Sequence, residues 1–166
     1  QLSSGLKSQT YGGIAGEAQT LVRLESELSR TDQYIANLTS VEEEINTMFS
    51  SLDAVLQDLD AAMADLSAAI SGSFAPEILE DSARIILDDV ADTLNEQYNG
   101  FYIFGGANRR NPPVDLNDPA YPSPFSPGDA ASTAYYQGDA TVQSVRADDG
   151  LTIRYGVNAD DSAFEQ

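Results

Sequence analysis

The chain has 166 residues, of which 27 are acidic and eight are basic, so its formal net charge is −19. A surface of that sign repels phosphate backbones and anionic lipid headgroups, and no run reaches the roughly 18 apolar residues that span a bilayer. The chain also lacks cysteine and histidine, which excludes disulfides, thiolate nucleophiles and the commonest general base. We therefore expect no nucleic acid or membrane partner, no cofactor or metal, and no enzymatic activity.

The first predicted element is one very long helix over residues of about 13 to 71, because this stretch contains no proline and no glycine after Gly16. Apolar residues recur in it with a heptad period, which predicts a continuous packing seam along one face. At about 1.5 Å per residue the helix would be roughly 85 Å long. The seam is expected to comprise Leu21, Leu24, Leu28, Ile35, Leu38, Ile45, Phe49, Leu52, Leu56, Leu59, Met63 and Leu66.

A second apolar stripe lies beside the seam and contains Tyr34, Val41, Met48 and Val55. The apolar face is therefore wider than a two-stranded coiled coil needs, which favours a helical bundle. The acidic run at residues 42–44 is expected to lie on a solvated face.

A second helix is predicted from about residue 77 to 98, after a Ser-Gly-Ser turn signal and with Pro76 in its first turn. Gly100 is expected to end it. Antiparallel to the first helix and roughly 33 Å long, it would cover the first helix only back to about residue 49. The seam from Leu21 to Ile45 then has no partner within this chain, so another chain or a helix beyond residue 166 is expected to cover it.

The remaining residues, 101–166, predict a small β-rich head. The aromatic stretch 101–104 is β-prone, and residues 107–132 hold six of the seven prolines, which indicates an irregular loop. Two β-prone runs, 141–147 and 151–157, flank an Asp-Asp-Gly turn and predict a hairpin. The head–rod junction is expected at Tyr98, Gly100, Phe101, Phe104, Gly105 and Gly106.

These patterns predict an α+β protein with three parts: a linker over residues 1–12, a helical rod over 13–100 and the head over 101–166. A capping-box pattern at Ser162 and Glu165 predicts that a further helix begins where the head ends. Because its ends look truncated, the chain is expected to be monomeric or weakly associated in dilute solution.

Three alternative sites carry little weight in the sequence. The glycine-rich residues 12–16 follow no strand and precede no Lys-Ser/Thr pair, so they do not predict a phosphate loop. Asp115, Asn117 and Asp118 lack the spacing of an EF-hand loop. Arg109 and Arg110 form the only adjacent basic pair, for which an acidic neighbour or an internal carboxylate is the expected partner.

Three segments, in their order along the chain, resemble the flagellin superfamily. Residues 2–8 read LSSGLKS, which resembles the segment where chains of this family enter their long rod helix. Residues 94–114 read LNEQYNGFYIFGGANRRNPPV, which resembles the step from an antiparallel helix to a short aromatic-glycine strand in hook-associated proteins. Residues 136–164 resemble the β segment that precedes the family's C-terminal helix.

The resemblance implies a core fragment, without the terminal helices, of a structural protein of the bacterial flagellum. It implies a rod like the flagellin D1 domain that packs side by side with neighbours around a channel, with the head outward, at the junction between hook and filament. Implied partners are copies of the chain, other hook-associated proteins, flagellin and an export chaperone. The implied location is extracellular, after export by the flagellar type III system.

Two other readings stay open. The chain could be a flagellin or flagellin-like filament subunit, which would form long filaments on its own. In a different class, it could be a stalked module whose head binds a glycan or a protein; titration of the head with glycans would then saturate. A generic coiled-coil scaffold is the remaining interpretation.

Overall fold

The computed structural model describes three stretches of the chain, residues 15–72, 76–121 and 133–161. The predicted linker, part of the proline-rich loop and the capping box at Ser162 lie outside them. The described elements form a mixed α+β protein with two small antiparallel sheets. They are α1 (Ala15–Ile70), α2 (Pro76–Leu94), β1 (Gln97–Tyr98), β2 (Phe101–Tyr102), β3 (Gln143–Asp148) and β4 (Leu151–Tyr155).

Helix α1 runs for 56 residues without a break. No proline removes a backbone donor inside it, and its one glycine, Gly16, stands in its first turn. Six serine and threonine hydroxyls donate hydrogen bonds to carbonyl oxygens four residues earlier, so these polar side chains are satisfied by the helix itself.

Helix α2 ends at Leu94, four residues before the predicted end at Tyr98. The chain turns there because β1 and β2 pair in a tight hairpin, with Tyr98 opposite Phe101. Asn99 and Gly100 form the two-residue turn, and both have positive φ angles, 51° and 78°. Asn-Gly is the favoured pair for such a turn, so Gly100 closes a hairpin and does not end a helix.

The core lies where the middle of α1, the end of α2 and the head meet. Its members are Met48, Ala91, Leu94, Ile103, Phe104, Val114 and Ala159. Phe104 and Ala159 are completely buried. Burying a Phe, Ile or Met side chain contributes about 2 kcal/mol, so this cluster fixes the head to the rod.

The β3–β4 hairpin folds back along α1. Alternate β3 residues, Gln143, Val145 and Ala147, are half-buried, as expected for a strand with one covered face. At the hairpin tip, Asp149 accepts a hydrogen bond from the Tyr34 hydroxyl (3.3 Å) and pairs with Arg30 (3.2 Å).

This position corrects in part the expectation that the seam from Leu21 to Ile45 has no partner within this chain: Leu38 and Ile45 are half-buried, whereas the earlier seam residues are exposed. The expectation considered only α2, whose length limits its reach. The hairpin covers one side of α1 from about Met48 back to Arg30, since a Cβ added at Gly156 would lie 3.3 Å from the Met48 Cε atom.

Candidate assembly interface

One heptad position of the predicted seam is exposed along almost the whole of α1. Its apolar side chains are 57–80 % exposed. We call them the exposed stripe: Leu21, Leu28, Ile35, Phe49, Leu56, Met63 and Ile70. Single exposed apolar side chains are ordinary, but a regular row of them along one helix marks an interaction surface.

The other heptad position of the seam is split between two environments. Leu24, Leu59 and Leu66 are about half exposed, at 51 %, 49 % and 46 %. Leu38, Ile45 and Leu52 are half-buried, and Ile45 and Leu52 line a pocket together with Val157 of the head. The structure thus places some of the twelve predicted seam residues in open positions and others at the edge of the core.

The side chains that do pack inside the molecule belong to the second stripe. Met48 is 3 % exposed and Val55 is 5 % exposed, whereas the next residues, Phe49 and Leu56, are 63 % and 60 % exposed. A step of one residue turns a helix by about 100°. The exposed stripe therefore lies on the flank of α1, beside the face that holds α2 and the head.

Two apolar pockets open along this flank. One, of about 180 Å³, is lined by Phe49, Leu52 and Val157 among others. The second, of about 240 Å³, is lined by Leu59 of α1, Leu87 of α2 and residues of the head. Phe49 is the member of the exposed stripe that lines one of these pockets, so apolar surface from the head and α2 continues beside the stripe.

Strand β4 extends the apolar surface beside the N-terminal half of α1. Ile153 pairs with Val145 of β3, so both side chains point to the same face of the hairpin. Val145 is half-buried, but Ile153 is 43 % exposed and Leu151, two residues earlier, is 52 % exposed. The hairpin's apolar face is therefore only partly covered by α1.

The electrostatic field around the C-terminal part of the exposed stripe is strongly negative. Between residues 42 and 98 the sequence has fourteen acidic residues and one arginine. The arginine, Arg84, already pairs with Glu80 at 3.1 Å. Like charges repel, so two copies cannot easily face each other through this part of the rod.

A buried ion pair fixes the angle between head and rod. Glu44 of α1 is only 4 % exposed and accepts a hydrogen bond of 2.7 Å from the Arg109 guanidinium. That guanidinium also lies 5.6 Å from the centre of the Phe101 ring. The expectation that residues 42–44 are all solvated is wrong for Glu44, because the loop after β2 brings Arg109 onto it.

Two tyrosines beside this ion pair titrate abnormally. Burial, and then the Glu44 carboxylate, raise the pKa of Tyr155. A hydrogen bond to Glu43 raises the pKa of Tyr98, whose hydroxyl is the donor. Both phenols therefore keep their protons to a higher pH than an exposed, unpaired tyrosine does.

The junction residues differ in burial. Phe104, Gly105 and Gly106 are buried, Tyr98 is half-buried, and Gly100 and Phe101 are exposed. Gly106 has a φ of 65°, and a Cβ there would lie 2.1 Å from the Asp139 carbonyl oxygen. The glycine is thus required by close backbone approach, and not only by the turn that the sequence indicated.

Sequence reasoning missed the Glu44–Arg109 pair and the β1–β2 hairpin. The Asn-Gly pair was a signal for the hairpin, and the two adjacent arginines were a signal for a buried carboxylate, but the sequence does not say which one. Among the described residues, no cluster of three acidic side chains is arranged to hold a metal ion. The two described helices are too polar to cross a membrane.

The fold and this surface define a class: an α+β protein whose long helical rod carries an uncovered apolar flank. No protein-family model and no curated protein matches the chain. It is similar to a solved structure described as a flagellar hook-associated protein from Vibrio parahaemolyticus, with a TM-score of 0.71 and 19 % identity. The match covers 94 % of this chain and 64 % of that one, so the two share a fold and this chain spans less than two thirds of its neighbour's length.

Proposed function

We propose that this chain is a structural component of the bacterial flagellum, in which helical rods pack side by side. The observation that carries the proposal is the exposed stripe, which runs along a 56-residue helix. The shared fold with a structure described as a flagellar hook-associated protein supports it. The residue-level resemblance favours, more narrowly, a hook-associated protein 3 type of subunit at the hook–filament junction.

The element that covers the exposed stripe in this proposal is a long helix with its own apolar face. Covering the exposed half of one Leu, Ile, Phe or Met side chain contributes on the order of 1 kcal/mol. A helix along the seven residues of the exposed stripe would gain several times that amount. The helix comes either from the same polypeptide beyond residue 166 or from a neighbouring subunit.

The geometry suits a repeating assembly. An unbroken helical rod gives every subunit one axis. The Glu44–Arg109 pair, buried between rod and head, gives every subunit the same head angle. The proposed partners are copies of this chain, other hook-associated proteins and flagellin, and an export chaperone before assembly. The proposed location is outside the cell, on the flagellum, after export by the flagellar type III system.

Immunogold labelling of flagella from the source bacterium tests the proposal. A junction subunit should label one narrow band between hook and filament. Labelling along the whole filament would instead support the flagellin alternative. Flagella without any label, in cells that make the protein, would overturn the flagellar role.

A further inference from the structure

The two adjacent arginines of the loop after β2 face different surroundings. Arg109 is held by Glu44 at 2.7 Å. Arg110 is exposed, and within the described stretches its side chain has no hydrogen bond or ion pair. In a chain with 27 acidic residues and eight basic ones, an arginine without a carboxylate partner among the described residues is unexpected.

Arg110 borders an open surface pocket of about 420 Å³. The pocket is lined by Phe101, Ala107, Asn108, Arg109, Arg110 and Asn111. Phe101 lines the same pocket and is 44 % exposed, so an apolar ring and the side chain of Arg110 border one open space. A guanidinium binds carboxylates in a fixed fork geometry, and the ring suits an aliphatic side chain. The pocket is therefore suited to a carboxylate that stands next to an apolar residue.

The outer face of α2 presents that combination. Ile78 and Ile85, seven residues apart, are 54 % and 60 % exposed. Asp81 and Asp88 follow them by three residues each, a spacing that places each carboxylate beside its isoleucine. Both aspartates are exposed. The helix has six acidic residues and only Arg84 as a base, which Glu80 already binds.

From this complementarity we propose that the Phe101–Arg110 patch of one copy binds the Ile85–Asp88 face of α2 in a second copy. The inference rests on the proposed function, because it requires rods packed side by side. The two patches are different surfaces of the same chain, so the contact is heterologous and propagates from copy to copy. Pairing of α2 with α2 is disfavoured, because it would bring twelve carboxylates together.

Disulfide trapping tests the contact without background, because the chain has no cysteine. Ala107 lies in the pocket and is exposed, and Asp89 is exposed next to Asp88. Ala107→Cys and Asp89→Cys chains, mixed at high concentration under mild oxidation, should cross-link roughly tenfold faster than a control mixture. The control pairs Asp89→Cys with Ser144→Cys, an exposed position on β3.

A charge exchange makes the test specific. Arg110→Glu in the Ala107→Cys chain should remove the rate advantage, and Asp88→Arg in the partner chain should restore it. Equal rates for the two mixtures, faster self-pairing of Asp89→Cys, or indifference to Arg110→Glu would each overturn the inference. Circular dichroism of every variant verifies that the exposed substitutions leave the fold intact.

The outcome is separable from the proposed function. Gold labelling at the hook–filament junction without preferential cross-linking would reject this contact alone. Preferential cross-linking in a protein that never labels flagella would retain the contact and reject the flagellar role.

Discussion

At the scale of single residues, the Glu44–Arg109 pair stabilises the joint between head and rod. Arg109 Nη2 lies 2.7 Å from Glu44 Oε1, and the Glu44 and Arg109 side chains are 6 % and 25 % exposed. Removing one partner from such a pair leaves a buried charge without compensation, which is costly. The exposed Arg146–Asp149 pair, with both side chains about 60 % exposed, contributes much less.

Arg109→Ala should therefore lower the free energy of unfolding by about 3 kcal/mol. Arg146→Ala is the matched control and should change it by less than about 1 kcal/mol. Urea unfolding followed by circular dichroism measures both. Equal effects of the two substitutions would show that the buried pair does not hold the joint.

The titration of Tyr136 predicts a loss of stability in alkali. Burial, followed by the charges of Asp160 and Asp139, raises the pKa of Tyr136 well above the ordinary value of 10.0. The folded protein therefore holds the phenol proton more tightly than the unfolded chain. This stability is fully present below pH 10 and is lost as pH rises toward the folded pKa.

Tyr136→Phe should separate the contribution of the hydroxyl's hydrogen bond from the effect of its ionisation on stability. At pH 7 it should cost about 1 kcal/mol, because the hydroxyl donates a hydrogen bond of 2.9 Å to the Asp139 carbonyl. Above pH 10 the variant should lose less stability with pH than the parent protein. Urea unfolding at several pH values measures this, with tyrosinate absorbance as the titration record. Parallel pH profiles would contradict the assignment.

At the scale of elements, the structure of α1 depends on which of two adjacent apolar stripes faces inward. Val55 is 5 % exposed and Leu56 is 60 % exposed. Val55→Ser should destabilise the chain by about 3 kcal/mol. Leu56→Ser should leave its thermal unfolding nearly unchanged and weaken its assembly. Calorimetry and sedimentation measure the two effects. A large loss of stability in Leu56→Ser would mean that the exposed stripe belongs to the core.

The elements also show how far the sequence predicts this fold. The great length of α1 follows from the absence of proline and of interior glycine, which is a local property. The choice between the stripes does not, because both are apolar and the residues of α2 and the head that cover one of them come much later in the chain. The Asn99-Gly100 hairpin was predictable from its turn residues, but the helical pattern reaching Tyr98 obscured it.

The candidate surface was also predictable only in part, because part of it depends on contacts between distant segments of the chain. Heptad spacing indicates a long apolar face on α1. Ile45 and Leu52 are half-buried beside Val157 of the head, a contact that no local pattern in α1 encodes. The buried state of Glu44 likewise depends on Arg109, 65 residues further along the chain.

At the scale of the whole molecule, the net charge of −19 opposes folding through self-repulsion. Most of the ion pairs that salt would weaken are exposed and individually worth little. Screening should therefore stabilise the protein overall. We expect Tm to rise by roughly 5 °C between about 0.05 and 1 M NaCl.

A variant with Asp88, Asp89 and Asp92 changed to Asn should show a smaller rise, since it has less repulsion to screen. Differential scanning calorimetry at several salt concentrations measures both proteins. A Tm that falls with salt would show that attractive pairs outweigh the net charge.

The exposure of the first turns of α1 bears on whether this helix finishes folding before assembly or during it. Every residue from 16 to 33 is exposed, so this stretch touches little besides itself. Helices of that length without tertiary support are marginal in water. Under the proposed packing, the N-terminal turns of α1 in each added subunit become stably helical only when they contact the subunit that is already assembled. Assembly and the last step of folding then occur together.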